Sequence, residues 1–117
     1  MRPRSWLFLL AGLALLPAVA GEARVVRIFA ERFVFVPSVI KVRAGETVEM
    51  RIRSDDTNHG FRIARANINI VIPKRGRGEA KVLFRAEAPG EYPFECSKAC
   101  GAGHTMMRGM IVVERRR

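Results

Sequence analysis

From Val25 onward, apolar and polar residues alternate with a period of two, the pattern of strands that bury one face. Val26 and Ile28 flank Arg27, and the run Phe33–Val36 stops at Pro37. Ile40 and Val42 face away from Lys41 and Arg43 before a turn at Ala44 and Gly45. Val48, Met50 and Ile52 oppose Glu49, Arg51 and Arg53 in the clearest strand of the chain. Ser54 to Asn58 is wholly polar and reads as a loop. Phe61 and Ile63 resume the pattern, and Ile68–Ile72 is a short apolar run, expected to be buried, that Pro73 closes. Arg75–Gly78 makes a turn, after which Ala80, Val82 and Phe84 alternate with Lys81, Leu83 and Arg85. Beyond the Pro89–Gly90 turn, Tyr92 and Phe94 share a strand with Pro93. A proline cannot donate to a ladder, which predicts an edge position. Met110–Val113 is the last strand. No helical periodicity exceeds two turns, and the chain has no internal repeat. Seven or eight strands at this spacing predict an all-β fold, an antiparallel β-sandwich of Greek-key type.

The first twenty residues follow a different rule. Met-Arg-Pro-Arg is basic, Trp6–Leu16 is an unbroken apolar run, and Ala18-Val-Ala20 offers a small-x-small cleavage pattern. These are the three parts of a secretory signal peptide. A membrane anchor is the competing reading, but a spanning helix needs about 20 apolar residues, more than Trp6–Ala20 supplies. Residues 1–20 are therefore expected to be a signal peptide and residues 21–117 a single domain. The protein would be exported, to the periplasm or the outer face of the cytoplasmic membrane.

Charge narrows the partners. Without Arg2 and Arg4, 19 Lys and Arg stand against 11 Asp and Glu, a net charge of +8. Lys41, Arg43, Arg51, Arg53, Lys81 and Arg85 are the outward members of strands, which are usually a solvated face. Nucleic acid is excluded, because the chain is expected to be exported and carries no interleaved aromatic platform. An acidic protein partner fits the charge, and Arg115–Arg117 would suit an anionic membrane surface.

The chemistry is concentrated in one stretch, Cys96-Ser-Lys-Ala-Cys-Gly-Ala-Gly-His-Thr-Met-Met107. It holds both cysteines, one of two histidines and two of five methionines. Thiolate, imidazole and thioether are the donors of copper electron-transfer sites. The spacing Cys-x3-Cys-x3-His-x2-Met is far more demanding than a lone cysteine pair. His59, the other histidine, ends the polar loop and is available as a remote imidazole. A disulfide would explain only Cys96 and Cys100. Zinc would use two Cys and two His but leave the methionine idle. Cys100, His104, Met107 and His59 alone make a complete mononuclear blue-copper set, and Cys96 is the residue that argues for two metals. Gly101 and Gly103 are expected to supply the positive φ angles of a compact loop. Met106 and Met110 are expected to pack in the core.

At these residues the chain resembles the binuclear CuA domain of cytochrome c oxidase subunit II and nitrous oxide reductase. The flanking segments Phe33–Pro37, Ile40–Glu46, Asn58–Phe61, Pro89–Tyr92 and Gly109–Val113 are similar as well. The resemblance implies a cupredoxin fold and one-electron transfer, with no catalysis by the domain alone. It implies that Cys96 and Cys100 bridge two coppers and that His59 and His104 are terminal ligands, one on each. Met107 and the backbone carbonyl of Lys98 would be the weak ligands.

Three features depart from the oxidase pattern. Lys98 stands where that family typically has a glutamate that helps bind magnesium, and an ammonium cannot coordinate a cation. The only tryptophan, Trp6, lies in the leader and not in an electron-entry cluster. The surface is basic where a partner of basic cytochrome c would be acidic. These features favour a free-standing electron carrier with an acidic redox partner, a cytochrome or an oxidase. An oxidase subunit acting only in its complex and a periplasmic copper carrier remain as alternatives.

Overall fold

A computed structural model describes residues 23–116, together with residue 3 and residues 11–14. The expected signal peptide lies almost entirely outside the described residues. Nine strands form: β1 (Arg24–Glu31), β2 (Val34–Val36), β3 (Val39–Arg43), β4 (Thr47–Ser54), β5 (His59–Ile63), β6 (Ile68–Ile72), β7 (Ala80–Arg85), β8 (Gly90–Glu95) and β9 (Arg108–Glu114). Single 3-10 turns at Ala64–Ala66 and His104–Met106 are the only helical segments among the described residues.

The strands build two packed sheets, ordered β2-β1-β4-β7 and β3-β9-β8-β5-β6. The all-β sandwich is as expected, but the sheets are mixed rather than purely antiparallel. β1 runs parallel to β4, and β3 runs parallel to β9. Alternation reports which face a residue takes and says nothing about the direction of the neighbouring strand.

Two further expectations change. β8 is an interior strand between β9 and β5, although it carries Pro93. It pairs with β5 where Arg62 lies opposite Glu95, and that register puts Ala64 opposite Pro93. Ala64 already belongs to the 3-10 turn, so the missing N–H faces no ladder. β6 is the edge of its sheet, and only Ile72 in it is fully buried, while Val71 is exposed.

Ile28, Val48, Met50, Ile52 and Phe84 of the first sheet meet Phe61, Ile63, Phe94 and Ile111 of the second in one core. Toward one end, Phe35, Phe61 and Phe94 form a triangle with ring centroids 5.0–5.8 Å apart. Burying each such ring contributes about 1.5–3 kcal/mol. The β4–β5 and β8–β9 connections emerge above this triangle, and they carry the candidate ligands.

Candidate metal centre

Each arm of the site grows from the aromatic triangle. His59 is two residues before Phe61 on β5, so both side chains point inward, and His59 is fully buried. Cys96 is two residues after Phe94 and inherits the same inward direction. The loop from Cys96 to Met107 is pinched shut where the Cys96 amide donates to the Met107 carbonyl at 3.0 Å. Inside it, the His104 amide donates to the Gly101 carbonyl, and the 3-10 turn brings Met107 back into the core.

The six donors named from the sequence come together. Cys96 Sγ lies 3.1 Å from the Lys98 carbonyl oxygen, 3.7 Å from Cys100 Sγ and 3.9 Å from His59 Nδ1. Cys100 Sγ lies 3.6 Å from His104 Nδ1 and 3.9 Å from Met107 Sδ. His59, Cys96 and Cys100 present donor atoms within 4.8 Å of one another, all buried, and could hold a metal ion. Both thiols are free, and their separation is well beyond the roughly 2.05 Å of a disulfide. Two thiols, two imidazoles and a thioether are soft and borderline donors, and this set fits copper. Burial, then the hydrogen bond with Cys96, pushes the Cys100 thiol up to about 11. The metal-free pocket therefore holds that proton at neutral pH, and a metal must displace it.

Several residues that shape the site were not read from the sequence. Asp56 Oδ1 lies 2.6 Å from His59 Nε2. A neutral His59 that donates from Nε2 leaves Nδ1 bare and facing Cys96. Burial pushes the Asp56 carboxyl up, but the Arg32 amide, His59 and the Thr57 amide outweigh it and hold it below its usual range. The spacing Asp-x-x-His was the available signal. Arg32 ties the two arms together: its amide donates to Asp56 Oδ2 at 2.8 Å and its Nε to the Cys100 carbonyl at 2.7 Å.

Two glycines behave differently from each other. Gly101 has φ of 143°, as expected, whereas Gly103 has φ of −91° and is needed for space, because the Phe33 ring lies where its Cβ would be. Met106 is 80% exposed and takes no part in the core, contrary to its expected packing role. The 3-10 turn alternates His104, Thr105 and Met106 around a tight axis and leaves Met106 on the outside. Met110 is half-buried.

A β-sandwich that gathers soft donors at one end, on loops between packed strands, has the build of a copper-protein domain. Residues 5–113 match the cupredoxin-like domain, and the chain belongs to that family. Cytochrome c oxidase subunit 2 of Thermus thermophilus is 38% identical over 91 residues, covering 76% of this chain and 64% of that subunit. Nitrous-oxide reductase of Cupriavidus necator is 29% identical over 98 residues, covering 80% of this chain but only 15% of that enzyme. The fold also matches the periplasmic domain of cytochrome oxidase subunit II of Bradyrhizobium japonicum with a TM-score of 0.70. That match has 17% identity and covers 80% of this chain and 86% of the other.

Proposed function

We propose that this domain is an exported electron carrier with a binuclear copper centre of the CuA type. The observation that carries the reading is the convergence of all six donors on two sulfurs 3.7 Å apart. Cys96 and Cys100 would hold the coppers as thiolates, His59 and His104 would each supply an imidazole, and Met107 and the Lys98 carbonyl would be the weak ligands. Copper held by these residues would supply the uptake and return of a single electron. The protein holds these donors nearly fixed: Asp56 orients His59, Arg32 tethers the Cys100 carbonyl, and the loop closes on itself at Cys96 and Met107. Residues 1–20 act as a cleaved leader, which places the domain in the periplasm. Among the described residues no helix is long and apolar enough to cross a membrane.

The redox partner is acidic. Exposed Arg32, Lys98 and Arg108 surround the donor loop, and the β6–β7 connection adds Lys74, Arg75 and Arg77. Arg115 and Arg116 follow β9 at the opposite end, where an anionic membrane surface would contact the domain. The kinship with Thermus thermophilus oxidase subunit 2 favours a second reading, in which the domain is the electron-entry part of an oxidase complex.

The copper-to-protein ratio and the electron paramagnetic resonance spectrum test the site. Two coppers per chain and an electron shared equally between them are expected. One copper with localised hyperfine splitting refutes the binuclear centre and leaves a blue site. In Cys96→Ser the shared signal should vanish while a mononuclear set survives. Co-purification with haem subunits would establish the oxidase reading. Rapid copper loss to a chelator would point to a copper carrier.

A further inference from the structure

The outer face of the first sheet has a composition that folding alone does not explain. Odd-numbered residues of β1, β4 and β7 point outward, and the register lines them up in rows across the three strands. Arg27 sits opposite Arg51 on the parallel β1–β4 ladder, and Arg51 sits opposite Lys81 on the antiparallel β4–β7 ladder. Three cations thus stand side by side at neighbouring-strand spacing, about 4.8 Å per step. Like charges directly opposite one another on a sheet are destabilising.

The row is also poorly neutralised. Arg51 pairs with Glu49 through its NH2 group at 3.1 Å, but its buried Nε has no hydrogen-bond partner. Arg27 and Lys81 have no ion-pair partner among the described residues. A cavity of about 100 Å³ opens beside them, lined by Arg27, Phe29, Arg51, Arg53 and Glu79 among others. Exposed apolar side chains flank the row on both sides. Val25 and Leu83 lie in the preceding row, and Phe29 and Val36 in the following one.

We propose that this face docks an acidic protein surface, a carboxylate of which enters the cavity and pairs with the Arg27 and Arg51 side chains that line it. Charge complementarity identifies the occupant, because the row offers three adjacent cations, two of which line the cavity. The flanking Val25, Phe29, Val36 and Leu83 separate a protein surface from a free inorganic anion, which would make no use of them. All six copper donors come from β5 and the β8–β9 loop of the other sheet, so a partner seated here leaves the metal end open. The proposal does not depend on the copper reading. It gives the chain two docking surfaces, one at the donor loop for electron exchange and one on the sheet for assembly.

The test is a nuclear magnetic resonance titration of the full metal-free chain with a synthetic peptide of interspersed Glu and Leu. Inorganic phosphate and phosphatidylglycerol vesicles serve as separate probes. The peptide is expected to shift amides of β1, β4 and β7, with affinity falling as salt rises. Lys81→Glu changes an exposed residue at the end of the row, so the fold should tolerate it. It should weaken the peptide by about tenfold or more while raising the melting temperature, because Arg51 gains a cross-strand partner. Arg51→Ala should weaken the peptide similarly. Shifts confined to Arg32 and the Lys74–Arg77 loop would overturn the proposal, since the peptide would then be reading the electron-exchange end. Binding to vesicles or phosphate but not to peptide would overturn it in favour of a lipid or a simple anion. Unchanged peptide affinity in Lys81→Glu would overturn it outright.

Discussion

Gly60→Ala should destabilise the domain and disturb the donor loop together. Gly60 lies on β5 between the donor His59 and Phe61, which positions it, and a methyl group there would point straight at the Cys96–Cys100 segment. The added Cβ would sit 2.7 Å from the Lys98 amide nitrogen and 2.8 Å from that of Ser97, besides colliding with Ser97 Oγ. The hydroxyl could turn away only by abandoning its 2.7 Å bond to Asn69 Oδ1. The two amides are backbone and cannot turn at all, so the loop must lift. Overpacking of this kind costs about 1–3 kcal/mol, and the stiffer unfolded chain of an alanine returns about 0.4–1 kcal/mol. The net loss, centred on about 1.3 kcal/mol, lowers the melting temperature of a domain this size by on the order of 10 °C. Lifting the loop also draws the Lys98 carbonyl away from Cys96 Sγ, now 3.1 Å distant. Calorimetry of the metal-free protein reads the first effect, and the absorption spectrum of the copper-loaded protein reads the second. Gly103→Ala is a comparison of a different kind, because its nearest clashes are with ring atoms of half-buried Phe33 and not with backbone. An unchanged melting temperature in Gly60→Ala would refute the backbone argument.

Three further outcomes follow from the same geometry. Asp56→Ala leaves fully buried His59 Nε2 without its acceptor. The urea midpoint should fall by the equivalent of about 1–3 kcal/mol, and competition with a copper chelator should read about 10–100-fold weaker binding. Met107→Leu nearly conserves volume at a fully buried site. It should cost less than about 1.5 kcal/mol, keep both coppers and raise the reduction potential; loss of copper would mean that Met107 is more than a weak ligand. Burial and the Cys96 hydrogen bond raise the Cys100 thiol from 9.0 to about 11, so the fold holds this proton more tightly than the unfolded chain does. Its contribution to metal-free stability is complete below pH 9 and is lost as pH rises toward 11. The urea midpoint should drop across that window, and Cys100→Ala should flatten the drop.

Strand positions were legible because a half-buried strand writes its inward face into every second residue, as Val48, Met50 and Ile52 do. Strand partners were not legible. The parallel β1–β4 and β3–β9 pairs depend on how distant segments pack, and no local period encodes that. Pro93 misled for a related reason, because its harmlessness depends on β5 turning away at Ala64. The six donors were legible because soft ligands are rare and their spacing is demanding. Asp56 and Arg32 escaped because a carboxylate and a guanidinium are common surface residues. Their role appears only when a loop 24 residues away in sequence closes over Asp56.

Met106 and Met107 make the sharper point, since neighbouring, chemically identical residues end with opposite fates. One is 80% exposed and the other fully buried. Composition treats them alike, and only the 3-10 turn between His104 and Met107 separates them. That turn is in turn imposed by the hydrogen bond that closes the loop at Cys96 and by Phe33 filling the space over Gly101 and Gly103. The choice of thioether therefore follows from packing outside the donor set. The same holds for His59 and Cys96, whose directions are inherited from Phe61 and Phe94 two residues away. Phe35 wedges both rings at 5.3–5.8 Å, so neither donor can swing without repacking the core. Donors held by packing outside the donor set have little left to rearrange when an electron arrives, and that rigidity is the property an electron carrier needs.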